Sequence, residues 1–117
     1  MDERSRQRRK RIAGNLNLAQ KLMDDIRYIM PVAWVDWQYV EEGNDQWCLV
    51  QGDFTKQTYH KVKNYSIRQH FSKFIRPGYT FLTSLNGQTL AARNPEGDSL
   101  IIVAINPNAL PVCIVPI

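Results

Sequence analysis

Two cysteines in 117 residues, Cys48 and Cys113, are too few and too far apart for a disulfide framework or a C-x-x-C redox pair. Both sit among apolar residues, which predicts buried thiols, with a disulfide as the minor alternative. Only two histidines are present, His60 and His70, and neither has a second ligand four residues away. No metal site is therefore expected, and both histidines are assigned to the surface or to satisfied helix positions. A glycine-rich phosphate loop and a G-x-S-x-G elbow are also missing, so the common nucleotide and serine-hydrolase motifs are excluded. No cofactor is predicted. No apolar run reaches the length of about 18 residues that spans a bilayer. The opening Met1-Asp2-Glu3-Arg4 lacks the apolar core of a signal peptide.

What is present starts with charge. Residues 1–11 hold six of the fifteen basic residues and two of the eleven acidic ones, which leaves nine of each in the remainder. The excess of positive charge is thus confined to Arg4, Arg6, Arg8, Arg9, Lys10 and Arg11. Such a tract suits nucleic acid or an anionic surface. It carries no interleaved aromatic residue for base stacking. The preferred reading is a solvated start to the first helix, or a frayed tail.

The chain is organised around Pro31-Val32-Ala33-Trp34-Val35-Asp36-Trp37-Gln38-Tyr39-Val40. Its β-branched and aromatic content predicts a buried strand of about six residues. Alternation would point Ala33, Val35 and Trp37 one way and Trp34, Asp36 and Gln38 the other. Small, medium and large in that order suits the inside of a tapering parallel barrel. A helical stripe of Leu18, Leu22, Ile26, Ile29 and Met30 precedes it, with Asn15 or Asn17 as a cap unless the helix runs back into the basic tract. Pro31 ends that helix. After a polar loop at 41–46 and a short apolar run, Trp47-Cys48-Leu49-Val50, residues 55–58 read as loop. A second helix is predicted from about Lys61 to Ile75, closed by Pro77-Gly78. Beyond it the period becomes strand-like, with strands over 79–84, 89–93, 99–106 and 112–115. Asn86-Gly87 and Pro95-Glu96-Gly97-Asp98 mark turns.

Helix–strand–helix is one slice of an α/β barrel. A complete eight-stranded barrel needs roughly 250 residues, so this chain would be a piece of something larger. The predicted fold is α/β plus all-β: the last strand and flanking helices of a (β/α)8 barrel in residues 1–77, then part of an antiparallel β-sandwich in 78–117. Glu41 and Glu42 are adjacent and would point to opposite sides of an extended chain. They cannot readily form the facing carboxylate pair of glycoside hydrolysis.

Four stretches then occur in a telling order. They are Ala33-Trp34-Val35-Asp36-Trp37-Gln38, Trp47-Cys48-Leu49-Val50, His70-Phe71-Ser72-Lys73-Phe74-Ile75-Arg76-Pro77-Gly78, and the hairpin from Leu90-Ala91-Ala92 to Leu100-Ile101-Ile102-Val103-Ala104-Ile105-Asn106. Together they resemble the C-terminal part of glycoside hydrolase family 30, the family of glucosylceramidases and endo-β-1,6-galactanases. The resemblance covers about residues 15 to 115, and the F-S-K-F-I-R-P-G run is its most specific piece. It implies that the central strand is the last barrel strand. It also implies that Trp37 lines the sugar subsite, with Gln38 and Trp47 at the rim, and that Trp34 packs strand against helix. The family's two catalytic glutamates lie on barrel strands that have no counterpart here, so no catalytic residue is assigned.

The implied function is a C-terminal fragment of a retaining glycoside hydrolase of β-linked glycans, inactive alone. Its partners would be carbohydrate, through the parent enzyme, and either the missing barrel half or further copies of itself. The family resemblance implies secreted or lysosomal-type enzymes. A stand-alone carbohydrate-binding or interaction module using Trp34, Trp37 and Trp47 is the alternative. Nucleic-acid binding through the basic tract is the third.

Overall fold

The computed structural model describes residues 2–43, 47–84, 86–108 and 111. They form a mixture of helices and two small three-stranded sheets. Helix α1 spans Glu3–Asp24 and continues into one wide π turn, Asp25–Ile29. A first sheet is built from β1 (Val40–Glu42), β2 (Val50–Asp53) and β3 (Thr58–Lys61). Helix α2, Lys63–Ser72, links it to a second sheet of β4 (Thr80–Leu82), β5 (Thr89–Arg93) and β6 (Leu100–Ala104).

The basic tract is helical. Asp2 caps α1 by accepting the Ser5 backbone N–H at 2.8 Å, so neither Asn15 nor Asn17 serves as the cap. Arg4, Arg6, Arg8 and Lys10 are exposed along the first turns, as the solvated-start reading requires. The apolar stripe holds as far as Leu22 and then changes. In the π turn, Met30 N–H donates to Asp25 O at 3.1 Å, five residues back. The extra residue per turn rotates the side chains that follow away from the stripe. Ile26 is half-buried while Ile29 and Met30, expected in the core, are exposed. Met30 leaves the right-handed helical basin (φ 49°) directly before Pro31, where the proline ring disfavours helix.

The core is formed by Ala19, Leu22 and Met23 of α1, Phe71 of α2 and Leu90 of β5. Trp34, Ile67, Val103 and Ile105 pack on it from the sides. It draws on both sides of residue 77, the expected boundary, which falls in the connection between α2 and β4. A polar clamp reinforces the packing. The Arg27 guanidinium donates to Ser84 Oγ (3.1 Å) and to the carbonyls of Asn86 (2.9 Å), Gly87 (3.1 Å) and Thr89 (2.8 Å). Gln20 Nε2 adds a bond to Gly87 O at 2.8 Å. The planar fork of an arginine can satisfy several carbonyls of one loop at once. Here it fastens the end of the first helix to the β4–β5 connection.

The second sheet is the expected antiparallel meander, with Phe81 opposite Ala92 and Ala92 opposite Ile101. Its β5–β6 turn is held by Asn94, whose backbone N–H donates to Ser99 O and whose side chain reaches Asp98 at 2.7 Å. The fourth expected strand, 112–115, lies outside the described residues.

Two local expectations are corrected. Residues 33–38 form no strand. A ladder needs partners, and a barrel strand needs one on each side; among the described residues the segment's end meets a brief contact, from Leu49 N–H to the carbonyls of Gln38 (3.3 Å) and Tyr39 (3.1 Å) and from Val50 N–H to Tyr39 O (2.8 Å). Regular pairing begins at Val40. The second helix starts at Lys63, because residues 58–61 pair antiparallel with β2, Gly52 opposite Tyr59.

Candidate functional site

Although residues 33–38 are not a strand, they keep the period of two. Trp34, Asp36 and Gln38 are half-buried, whereas Ala33, Val35 and Trp37 are exposed. The inward set meets the two helices. Trp34 Nε1 donates to Asp25 Oδ2 at 2.7 Å. Arg68 of α2 lies over the Trp34 ring at 4.4 Å and approaches Asp36 Oδ2 at 4.0 Å. Trp34 therefore packs this segment against its flanking helices. The outward set is uncovered: Val35 is 90 % exposed and Trp37 77 %.

Of the three residues proposed from sequence to face a ligand, Trp37 and Trp47 are exposed and Gln38 is half-buried. β1 and β2 run parallel, with Val40 opposite Val50. The bonds from Leu49 to Gln38 and Tyr39 prolong that pairing, so Trp37-Gln38 and Trp47 lie at the same end of the first sheet.

Glu41 and Glu42 diverge as neighbours in a strand must. Glu42 Oε1 accepts the Phe54 backbone N–H at 3.0 Å. Glu41 Oε2 is buried and meets no hydrogen-bond donor among the described residues. The two do not form a facing pair. His60 is an exposed residue of β3 and His70 an exposed residue near the end of α2. Cys48 is fully buried, with its carbonyl accepting from Asn64 Nδ2 at 3.3 Å; Cys113 lies outside the described residues. Among the described residues no three His, Cys, Asp or Glu side chains gather as a metal site would require, and no helix is long and apolar enough to cross a membrane.

Two open hollows lie elsewhere among the described residues. One, of about 500 Å³, lies on the face of the first sheet that carries Val40, Val50 and Gly52, and is walled by Tyr39, Phe54 and Tyr59. The other, of about 730 Å³, opens between α1, α2 and β6 beside Leu16, Ile67, Phe74 and Ile102 and is mainly apolar. The sequence reading missed the first because its parts are scattered. Tyr59 was assigned to no element, and Phe54 is brought in only by the β2–β3 turn. A run of two aromatics and a glycine around a predicted turn was the available signal.

Comparison with known proteins gives one informative match. Over 95 residues, 80 % of this chain, the sequence is 28 % identical to an endo-beta-1,6-galactanase of Hypocrea rufa. The chain spans only about a fifth of that protein, 19 % of its length. No family model matches the chain, and no solved structure matches it. The similarity supports a distant relationship to a glycoside hydrolase.

Proposed function

We propose that this chain is a segment of a larger family 30-like glycoside hydrolase that acts on β-linked glycans. Residues 1–77 correspond to the end of its barrel, where the 33–38 segment would take its place as the last strand only against the neighbouring strands of the parent, and 78–117 to part of an adjoining β-sandwich. Trp37 offers its ring to the apolar face of a pyranose, with Gln38 and Trp47 at the rim. The catalytic carboxylates come from elsewhere in the parent, where a retaining mechanism would use two of them on opposite sides of the scissile bond.

The observation that carries this reading is the uncovered face of residues 33–37. It keeps strand alternation and is apolar, yet it has no partner among the described residues, while the opposite face is anchored by Trp34 and Asp36 to both helices. Contiguous exposed apolar surface of this kind marks an interaction site. The buried, unpartnered Glu41 Oε2 supports the same conclusion, because buried polar atoms are ordinarily satisfied. The distant similarity to a galactanase supports carbohydrate as the substrate class.

The test is a substitution at the position of Trp37 in a full-length relative, in a variant shown to be folded. Trp37→Ala should raise KM and lower kcat for a β-1,6-galacto-oligosaccharide. The corresponding Trp34→Ala should act mainly on stability. Unchanged kinetics in the folded Trp37→Ala enzyme would remove Trp37 from the sugar site.

A further inference from the structure

The aromatic hollow on the first sheet is separate from the Trp37 surface and has a construction of its own. Its floor is one face of the ladder, Val40 opposite Val50 opposite Lys61, with Gly52 opposite Tyr59 in the next row. Gly52 matters because a Cβ there would come within 2.9 Å of the Phe54 ring and 3.6 Å of Val40 Cγ1. The missing side chain lets that ring lie down on the sheet. Phe54 is fixed from behind by its backbone N–H, which donates to Glu42 Oε1 at 3.0 Å. Tyr39 and Tyr59, 62 % and 77 % exposed, form the other walls. The rim is polar, with Asp53, Gln57, Thr58 and Lys61. A volume of about 500 Å³ falls within the range of roughly 300–1,000 Å³ typical of small-ligand sites.

The charges at the rim are already committed. Asp53 accepts the Lys56 backbone N–H at 2.9 Å and pairs with its ammonium at 2.9 Å. Lys61 sits over the Tyr65 ring at 4.5 Å. An anionic ligand would need free cations to hold its phosphates or carboxylates; the one cation that lines the hollow, Lys61, is the one already engaged with the Tyr65 ring. What the hollow offers is flat aromatic surface edged by neutral donors and acceptors. A ring that is apolar on its faces and hydroxylated at its edge meets both demands, stacking on the aromatic walls while its hydroxyls reach Gln57 and Thr58.

From this geometry we propose that the Tyr39–Phe54–Tyr59 hollow is a second, non-catalytic binding site for a neutral saccharide. It rests on the carbohydrate-directed function proposed above but uses none of Trp37, Gln38 or Trp47. In a larger glycosidase it would hold a glycan chain beside the cleavage site.

The test is an NMR titration of the 117-residue chain with a β-1,6-linked galacto-oligosaccharide, with a nucleoside monophosphate as the anionic comparison. The expected result is a saturable shift of the Gly52, Phe54, Gln57, Thr58 and Tyr59 resonances by the saccharide alone. Tyr59→Ala should weaken that binding by about tenfold, the scale of one aromatic contact, while Trp37→Ala leaves it unchanged. Tyr59 is so exposed that its truncation should not disturb the fold, which the unshifted core resonances would verify. The proposal is overturned by unchanged resonances at saturating saccharide, or by shifts produced only by the nucleotide. It is equally overturned if binding is lost in Trp37→Ala and kept in Tyr59→Ala. That last pattern would leave the Trp37 proposal standing, and loss of Trp37 function in the full-length relative would leave this one standing.

Discussion

Met23 and Trp37 are large apolar residues in segments with clear periodicity, yet Met23 is fully buried and Trp37 is 77 % exposed. The difference lies in what each segment has to pack against. Around Met23, α1 meets α2 and β5, and the Arg27 clamp ties the helix end to the β4–β5 loop. Around Trp37 only one face has a second layer, supplied by Asp25 and Arg68. The first region buries a core between its elements, though a hollow opens beside it between α1, α2 and β6; the second leaves Val32, Val35, Trp37, Tyr39, Trp47 and Tyr59 in solvent. Periodicity in a sequence states which face wants burial. Burial itself needs a second surface, and on the proposed reading that surface belongs to the rest of a larger enzyme and to its sugar.

The contrast can be broken most strongly from the closed side. Met23→Ala removes a fully buried side chain from the core and should cost about 2–5 kcal/mol, read as a lower midpoint in urea. Tyr59→Ala on the open side should change that midpoint by no more than about 0.5 kcal/mol, the usual range for a surface substitution. Comparable losses from the two would mean that the open sheet is as tightly integrated as the core.

A smaller effect comes from acid. The Asp53 carboxyl is held below the usual carboxylate range by the Lys56 backbone N–H and then by its side chain. Asp98 is held low by the side chains of Asn94 and Ser99. A carboxyl whose pKa is lowered on folding contributes stability above its unfolded pKa, and that contribution is lost as pH falls through the folded value. Asp98 is exposed and Asp53 lies at the half-exposed end of β2, so the consequence is local. Acidification through and below the ordinary carboxylate range should loosen the 53–56 turn of the open sheet and the 94–99 turn of the meander. Chemical shifts of the Lys56 and Ser99 amides would report each. Because the β4–β6 sheet is anchored by the core, its strand amides should stay unshifted while those of β2 and β3 move.

Much of the closed region is legible in the sequence. The meander follows from alternation between strong turn signals, Asn86-Gly87 and the 95–98 stretch, and Pro31 stops the first helix as its ring dictates. The alternation of residues 33–38 also survives, and with it the inward packing of Trp34. Hidden from sequence are features fixed by distant partners. Arg27 sits in the expected helix, but its acceptors lie 57 to 62 residues away. The π turn that frees Ile29 and Met30 leaves no mark in a helical pattern. β3 falls between the loop read over 55–58 and the helix read from about Lys61, because Thr58-Tyr59-His60-Lys61 alternates too briefly to announce a strand, and its identity comes from pairing with β2. The aromatic hollow depends on that same pairing.

The most direct measurement of the central claim, that catalysis by the parent needs carboxylates this chain does not carry, is turnover by the chain alone. The 117-residue chain, with its fold verified by the protected core, would be incubated with β-1,6-galacto-oligosaccharides and with aryl β-glycosides, and released reducing ends and aglycone counted. The account predicts release no faster than in buffer, even where the saccharide binds. Measurable hydrolysis that scales with chain concentration would contradict it.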